Sequence, residues 1–159
     1  MVGSIVHIPC QALMLMASTE RQVLERVTRV VGMLEKRIVG PNIELKACGI
    51  DSVTLVAQRL AQSQTKFGDD GWTQILKRVW DRIVEHGNDY GFEAGRAKAA
   101  SSLEHFTTVL KRYKRAVDTP DRHELVGRVQ EDVKKTLDNE KSPVVLRVLN
   151  PAAATLLRA

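Results

Sequence analysis

A ladder of apolar residues, Ala99, Leu103, Phe106, Leu110, Tyr113 and Val117, runs through this chain with spacings alternating between four and three. That alternation returns to the same side of a helix every two turns, so it draws one narrow apolar seam and predicts that seam packed on a partner helix. A strand cannot use it, because successive strand residues point to opposite faces. A chain organised around such a segment is expected to be helices pressed on helices.

The remaining sequence reads the same way. Thr19 followed by Gln22 forms a capping box that opens a helix over about 20–38, with Val23, Val27, Val30 and Leu34 inward. Gly40-Pro41-Asn42 stops it, since proline cannot continue the hydrogen-bond ladder. Segment 43–48 reads as a short strand or irregular crossing. Gly49 and Asp51 then read as the break and cap before a second helix, roughly 52–65. Gly68-Asp69-Asp70 introduces a third, about 71–85, whose apolar face carries both tryptophans, Trp72 and Trp80, among Leu76, Val79 and Ile83. A face that wide calls for burial against two neighbours.

The ladder helix is expected over about 92–116. Thr119-Pro120 opens a fifth helix, a cap residue with proline at the first helical position. Ser142-Pro143 and Asn150-Pro151 repeat that pattern, although β-branched residues make 143–149 a candidate strand, as is 4–8. No internal repeat and no dividing linker are visible. The expectation is an all-α fold, a single helical domain over 1–159 built as a bundle of five or six amphipathic helices.

A chain of 159 residues with 43% apolar and 27% charged residues has enough material for one core and excludes global disorder. Two cysteines are too few for a disulfide framework, which points to the cytoplasm or another reducing intracellular compartment. The apolar run 5–17 is interrupted by His7 and Pro9 and is too short to span a bilayer. No transmembrane segment is expected. That run is read as packing on the core or docking on a partner.

Catalytic chemistry finds no foothold. The glycines at 87, 91 and 95 lack the spacing of a phosphate loop, and Asp69-Asp70 suits a helix start better than a catalytic pair. His86, His105 and His123 fall on separate helices. His7 and Cys10, with Cys48 as a third ligand, make half a metal site without a second pair. The chain is therefore read as no enzyme, with no cofactor and no metal.

The segment Gly49-Ile50-Asp51-Ser52-Val53 resembles the attachment motif of acyl and peptidyl carrier proteins, in which a serine opening a helix accepts phosphopantetheine. The resemblance runs over 49–60 and implies Ser52 as the modified residue; the competing explanation of Asp51-Ser52 is a helix cap.

Charge supplies the remaining lead. Between Gly91 and Val117 six cations meet two acids, whereas from Asp118 onward seven meet seven. Lys111, Arg112, Lys114 and Arg115 concentrate that excess beside the ladder. Such a cluster attracts a polyanion, and it also suits a helix C-terminus, where cations complement the dipole. The favoured reading is a helical assembly or interaction subunit, oligomeric or part of a larger complex, with a protein partner or a second copy of itself. The alternative is a protein contacting duplex RNA backbone through the basic helix.

Overall fold

Side-chain caps open four of the six described helices in a computed structural model that describes residues 19–36 and 42–158. Gln22 N donates to Thr19 Oγ1 at 3.2 Å and Thr19 N donates to Gln22 Oε1 at 3.1 Å, completing the capping box of α1 (Glu20–Lys36). The described chain continues through α2 (Ile43–Gln62), α3 (Trp72–Gly87), α4 (Glu93–Ala116), α5 (Pro120–Asn139) and α6 (Pro143–Leu157). All regular structure among the described residues is helical; segment 4–8, with His7 and Cys10, lies outside them.

Two expectations about strands give way to helix. Segment 43–48 is the first turn and a half of α2, because Asn42 caps it, its side chain accepting from Leu45 N at 3.1 Å. Gly49 and Asp51 therefore lie inside α2 and neither breaks nor caps it. Glycine costs about 1 kcal/mol against alanine in a helix, and here it admits a neighbour. A Cβ at position 49 would stand 3.4 Å from the His86 ring of α3. Segment 143–149 is the start of α6, where Ser142 accepts from Val145 N at 3.3 Å and Pro143 occupies the first position. Val145, Leu149, Ala152, Ala153 and Leu156 then bury at helical spacing, and that packing outweighs the β-branched composition. Asn150-Pro151 does not open a further helix. Pro151 sits within α6, its missing donor removing one i to i−4 bond.

Helices two apart in the chain lie side by side. α4 stands between α2 and α6 in one layer, and α3 between α1 and α5 in the other. Bonds within a layer keep step along both helices: Lys98 reaches Asp51 at 3.6 Å, Thr54 and Ser102 share a 2.6 Å hydroxyl bond, and Arg112 reaches the Leu60 carbonyl. Neighbours in a layer are thus parallel. The other layer is tied likewise, Arg128 donating to Asp81 at 2.6 Å and Thr136 to Asn88 at 3.4 Å, with Trp80 Nε1 donating to Asp132 at 2.8 Å. α2, α4 and α6 begin at residues 43, 93 and 143, a repeat of helix pairs with a constant step. The repeat is one of geometry, which the side chains do not spell out, and it makes the fold a short two-layered α-solenoid.

One apolar cluster joins all six helices. Trp72, Leu76, Val79, Trp80 and Ile83 are all buried in it. The Trp80 ring stacks on Phe106 with centroids 5.4 Å apart, and Phe67 meets Trp72 edge-on at 4.9 Å. Ala99, Leu103, Phe106, Leu110 and Tyr113 are buried along α4, and Val117 is half-buried just past its end. Burial does not stop at that line. Gly95, Ala100, Ser102, Thr107 and Val109 are buried as well, because α4 is the middle helix of its layer and also touches α3 and α5. The expected narrow seam is instead a helix enclosed on several sides.

Candidate functional site

The four clustered cations of α4 separate into two roles. One hundred degrees of turn per residue carries Arg112 to the α2 side of the helix. There its guanidinium donates to the carbonyls of Leu60 (3.4 Å), Ala61 (3.3 Å) and Thr65, and lies 5.1 Å over the Phe67 ring. It closes the C-terminal end of α2 and is not a free surface charge. Arg112→Ala is expected to lower stability by about 1–3 kcal/mol, the cost of leaving those carbonyls unpaired. Lys111→Ala should change it by no more than about 0.5 kcal/mol. Chemical denaturation of the two variants side by side checks the contrast.

Lys111, Lys114 and Arg115 turn the other way, toward α6. With Asp118, His123, Thr155 and Arg158 they line an open groove of about 670 Å³. A second hollow of about 450 Å³ shares Lys111 and Thr155 with it and continues toward Glu104, Arg147, Val148, Pro151 and Ala152. The two make one trough between parallel helices. Its α4 wall from Glu104 to Arg115 is about 16 Å long at 1.5 Å per residue, and Arg147 to Arg158 on α6 spans the same distance. Thr107 and Ala152 are buried at its floor. No aromatic side chain lines either hollow.

Arg147 and Arg158 were missed by a reading that sought contiguous charge. They do carry a sequence signal: they are the only charged side chains between positions 143 and 158. Eleven residues is three helical turns, so both fall on one side of α6. Among the described residues none of Lys111, Lys114, Arg115, Arg147 or Arg158 is ion-paired. Of the acids along the trough, Asp118 is engaged by His123. Helix dipoles explain part of the pattern, since Lys114 and Arg115 stand in the last turn of α4. They do not explain Arg147, which sits near the positive N-terminal end of α6.

Ser52 lies in the middle of α2, fully buried, its hydroxyl donating to the Cys48 carbonyl at 2.9 Å. A carrier serine has to be exposed at a helix start, and an internal position behind a wall of side chains offers a transferase nothing to attack. His86 is buried against Gly49, and its burial pushes the imidazole pKa down although Glu85 and Asp89 oppose this. His105 is half-buried on α4, and His123 is exposed at the groove rim. Among the described residues no three His, Cys, Asp or Glu side chains converge as metal ligands, and no helix is long and apolar enough to cross a membrane.

A stack of helix pairs with a constant step is what repeat proteins build, and one comparison bears directly on it. The family model described as ECM29, C-terminal ARM-like repeats, matches residues 10–155. The chain belongs to this family. No curated protein and no solved structure matches it. The chain is thus an ARM-like helical repeat domain, an architecture of protein–protein interaction scaffolds that typically carries no catalytic machinery. In these ARM-like repeats each helix pair stacks on the next and buries a continuous core, while the surface between neighbouring pairs stays open. The α4–α6 trough is such a surface.

Proposed function

We propose that this ARM-like domain is a non-enzymatic docking subunit that holds a protein partner within a larger complex. The observation that carries this is the layered stack of helix pairs, whose buried polar groups are spent on holding the stack together. Arg96 and Glu140 lock the second pair to the third, and Arg122 clamps the connection between α2 and α3. Arg122 is 2% exposed and donates to the carbonyls of Phe67 (2.7 Å), Tyr113 (2.6 Å) and Asp69 (3.3 Å). Phe67, at φ 57° in the left-handed region, is held there by this bond and by Arg112 over its ring. A rigid frame with an open charged flank suits recognition better than chemistry.

The reading predicts specific neighbours. Cross-linking from Lys111 and Lys114 in native extract, followed by mass spectrometry, is expected to yield a reproducible set of protein partners that excess unlabelled chain competes away. Light scattering of the isolated chain should stay near its 17.7 kDa mass. Cross-links confined to other copies of this chain, with a light-scattering mass at a multiple of that value, would replace the proposal with self-assembly.

A further inference from the structure

The charges along the α4–α6 trough define what it accepts. Five cations outside any ion pair among the described residues border it, three from α4, Arg147 of α6 and Arg158 at its C-cap. Against them stand two carboxylates, Glu104 and Asp118, the latter engaged by His123, and Arg147 lies where the helix dipole gives it no benefit. Positive charge held on both walls of a concave channel focuses the field and selects an anionic ligand. The channel is about 16 Å long, which an extended strand of about five residues fills at roughly 3.3 Å per residue. Between the cations, Val148, Pro151 and Ala152 present an apolar strip, and Thr108 and Thr155 add hydroxyls.

These features choose between anionic polymers. A duplex lies across a surface and meets phosphates over a width greater than one helix pair, and a single strand stacks its bases on aromatic rings. The trough lies within one pair of helices, has no aromatic lining, and offers an apolar strip that a phosphate backbone cannot use. We propose that the α4–α6 trough binds an extended acidic segment of a partner protein, its carboxylates shared among the five cations and an intervening aliphatic side chain on the Val148–Pro151–Ala152 strip. This rests on the docking reading above and names the partner chemistry.

The test uses fluorescence anisotropy on the full chain with a labelled glutamate–valine peptide of about ten residues, twice the length the channel holds. Its lysine–valine counterpart and an RNA duplex serve as competitors. Binding of the acidic peptide should weaken steeply with added salt and fall at least about tenfold in the Arg147→Ala/Arg158→Ala variant, each lost charge contact being a large share of a short interface. It should vanish in Lys111→Glu/Lys114→Glu/Arg115→Glu, whose walls repel the ligand. Thermal melts accompany both variants, so either one that keeps its fold carries the result. The proposal is overturned by unchanged affinity in a folded variant, by equal binding of the lysine peptide, or by no binding to the unaltered chain at low salt. Tighter binding of duplex RNA, lost in the same variants, would also overturn it and make the trough a nucleic-acid site. If the cross-linked partner set survives in a folded Arg147→Ala/Arg158→Ala variant, which keeps Lys111 and Lys114 for the cross-linker, while its peptide affinity is unchanged, the docking function stands and only this assignment of its site falls.

Discussion

Replacing Trp80 with alanine is expected to remove about 3–5 kcal/mol of folding stability, the usual cost of emptying a buried aromatic site. Trp80 is 3% exposed, stacks on Phe106 of α4 and donates its indole N–H to Asp132 of α5. One side chain therefore joins three helices and both layers. Trp80→Phe keeps the stacking and loses the hydrogen bond, so its cost should be nearer 1–2 kcal/mol. Urea unfolding followed through the fluorescence of Trp72, the other tryptophan, measures both. A loss below about 0.5 kcal/mol for Trp80→Ala would place this residue at the surface and contradict the layer arrangement.

Breaking the buried ion pair between the second and third helix pairs should be as severe. Arg96 Nε donates to Glu140 Oε2 at 2.8 Å, with side chains 8% and 1% exposed, and its other nitrogens reach Glu140 Oε1 and the Asp89 carbonyl. Ser142 N donates to the same carboxylate at 3.1 Å, and the Tyr90 ring lies beneath the guanidinium at 5.3 Å. Glu140→Leu leaves Arg96 charged, buried and unpaired, which is expected to cost about 3–5 kcal/mol. Adding Arg96→Leu removes that stranded charge and should restore a large part of the loss. A double-mutant cycle reads the difference, and a double variant no better than the single would show that the pair is not isolated from water.

The same pair sets an acid limit on the fold. Burial pushes the Glu140 carboxyl up, but Arg96 and the backbone N–H groups of Ser142 and Lys141 more than offset it and hold its pKa below the ordinary 4.5. A carboxylate whose pKa is lower in the folded state binds fewer protons there than when unfolded. Its contribution is therefore complete above the ordinary carboxylate range and disappears as pH falls through the depressed folded value. Stability measured from pH 7 downward should fall more steeply for the unaltered chain than for Arg96→Leu/Glu140→Leu.

Helix existence and helix starts were legible because they depend on neighbouring residues. Thr19, Thr119 and Ser142 cap within three positions of themselves, and the apolar face of α3 repeats within its own sixteen residues. Where local signals conflicted, the reading failed. Gly49 and Asp51 look like a helix boundary, yet Asn42 had already started α2, which runs on through both, with Gly49 buried beside the His86 ring. Valines at 144, 145 and 148 look like a strand until the packing of α6 on α4 and α5 is counted, which buries Val145, covers part of Val148 and leaves Val144 exposed. The basic run was visible, but its division was not. Arg112 differs from Lys111 by a single residue, and only the passage of the α2 C-terminus beside it turns one cation into a structural clamp and leaves the other facing the trough.

Sequence alone determined that this chain is helical, where most of its helices begin, and which of their faces are apolar, because those properties arise from contacts a few residues apart. Tertiary structure decided which helices share a layer, that the pairs repeat every 50 residues through α2, α4 and α6, and that Arg147 and Arg158 join the cations of α4 along one trough. Those outcomes depend on parallel helices brought together from distant parts of the chain, and a repeat whose buried side chains are free to vary so long as they stay apolar and fill the space leaves no periodic trace in the residues themselves.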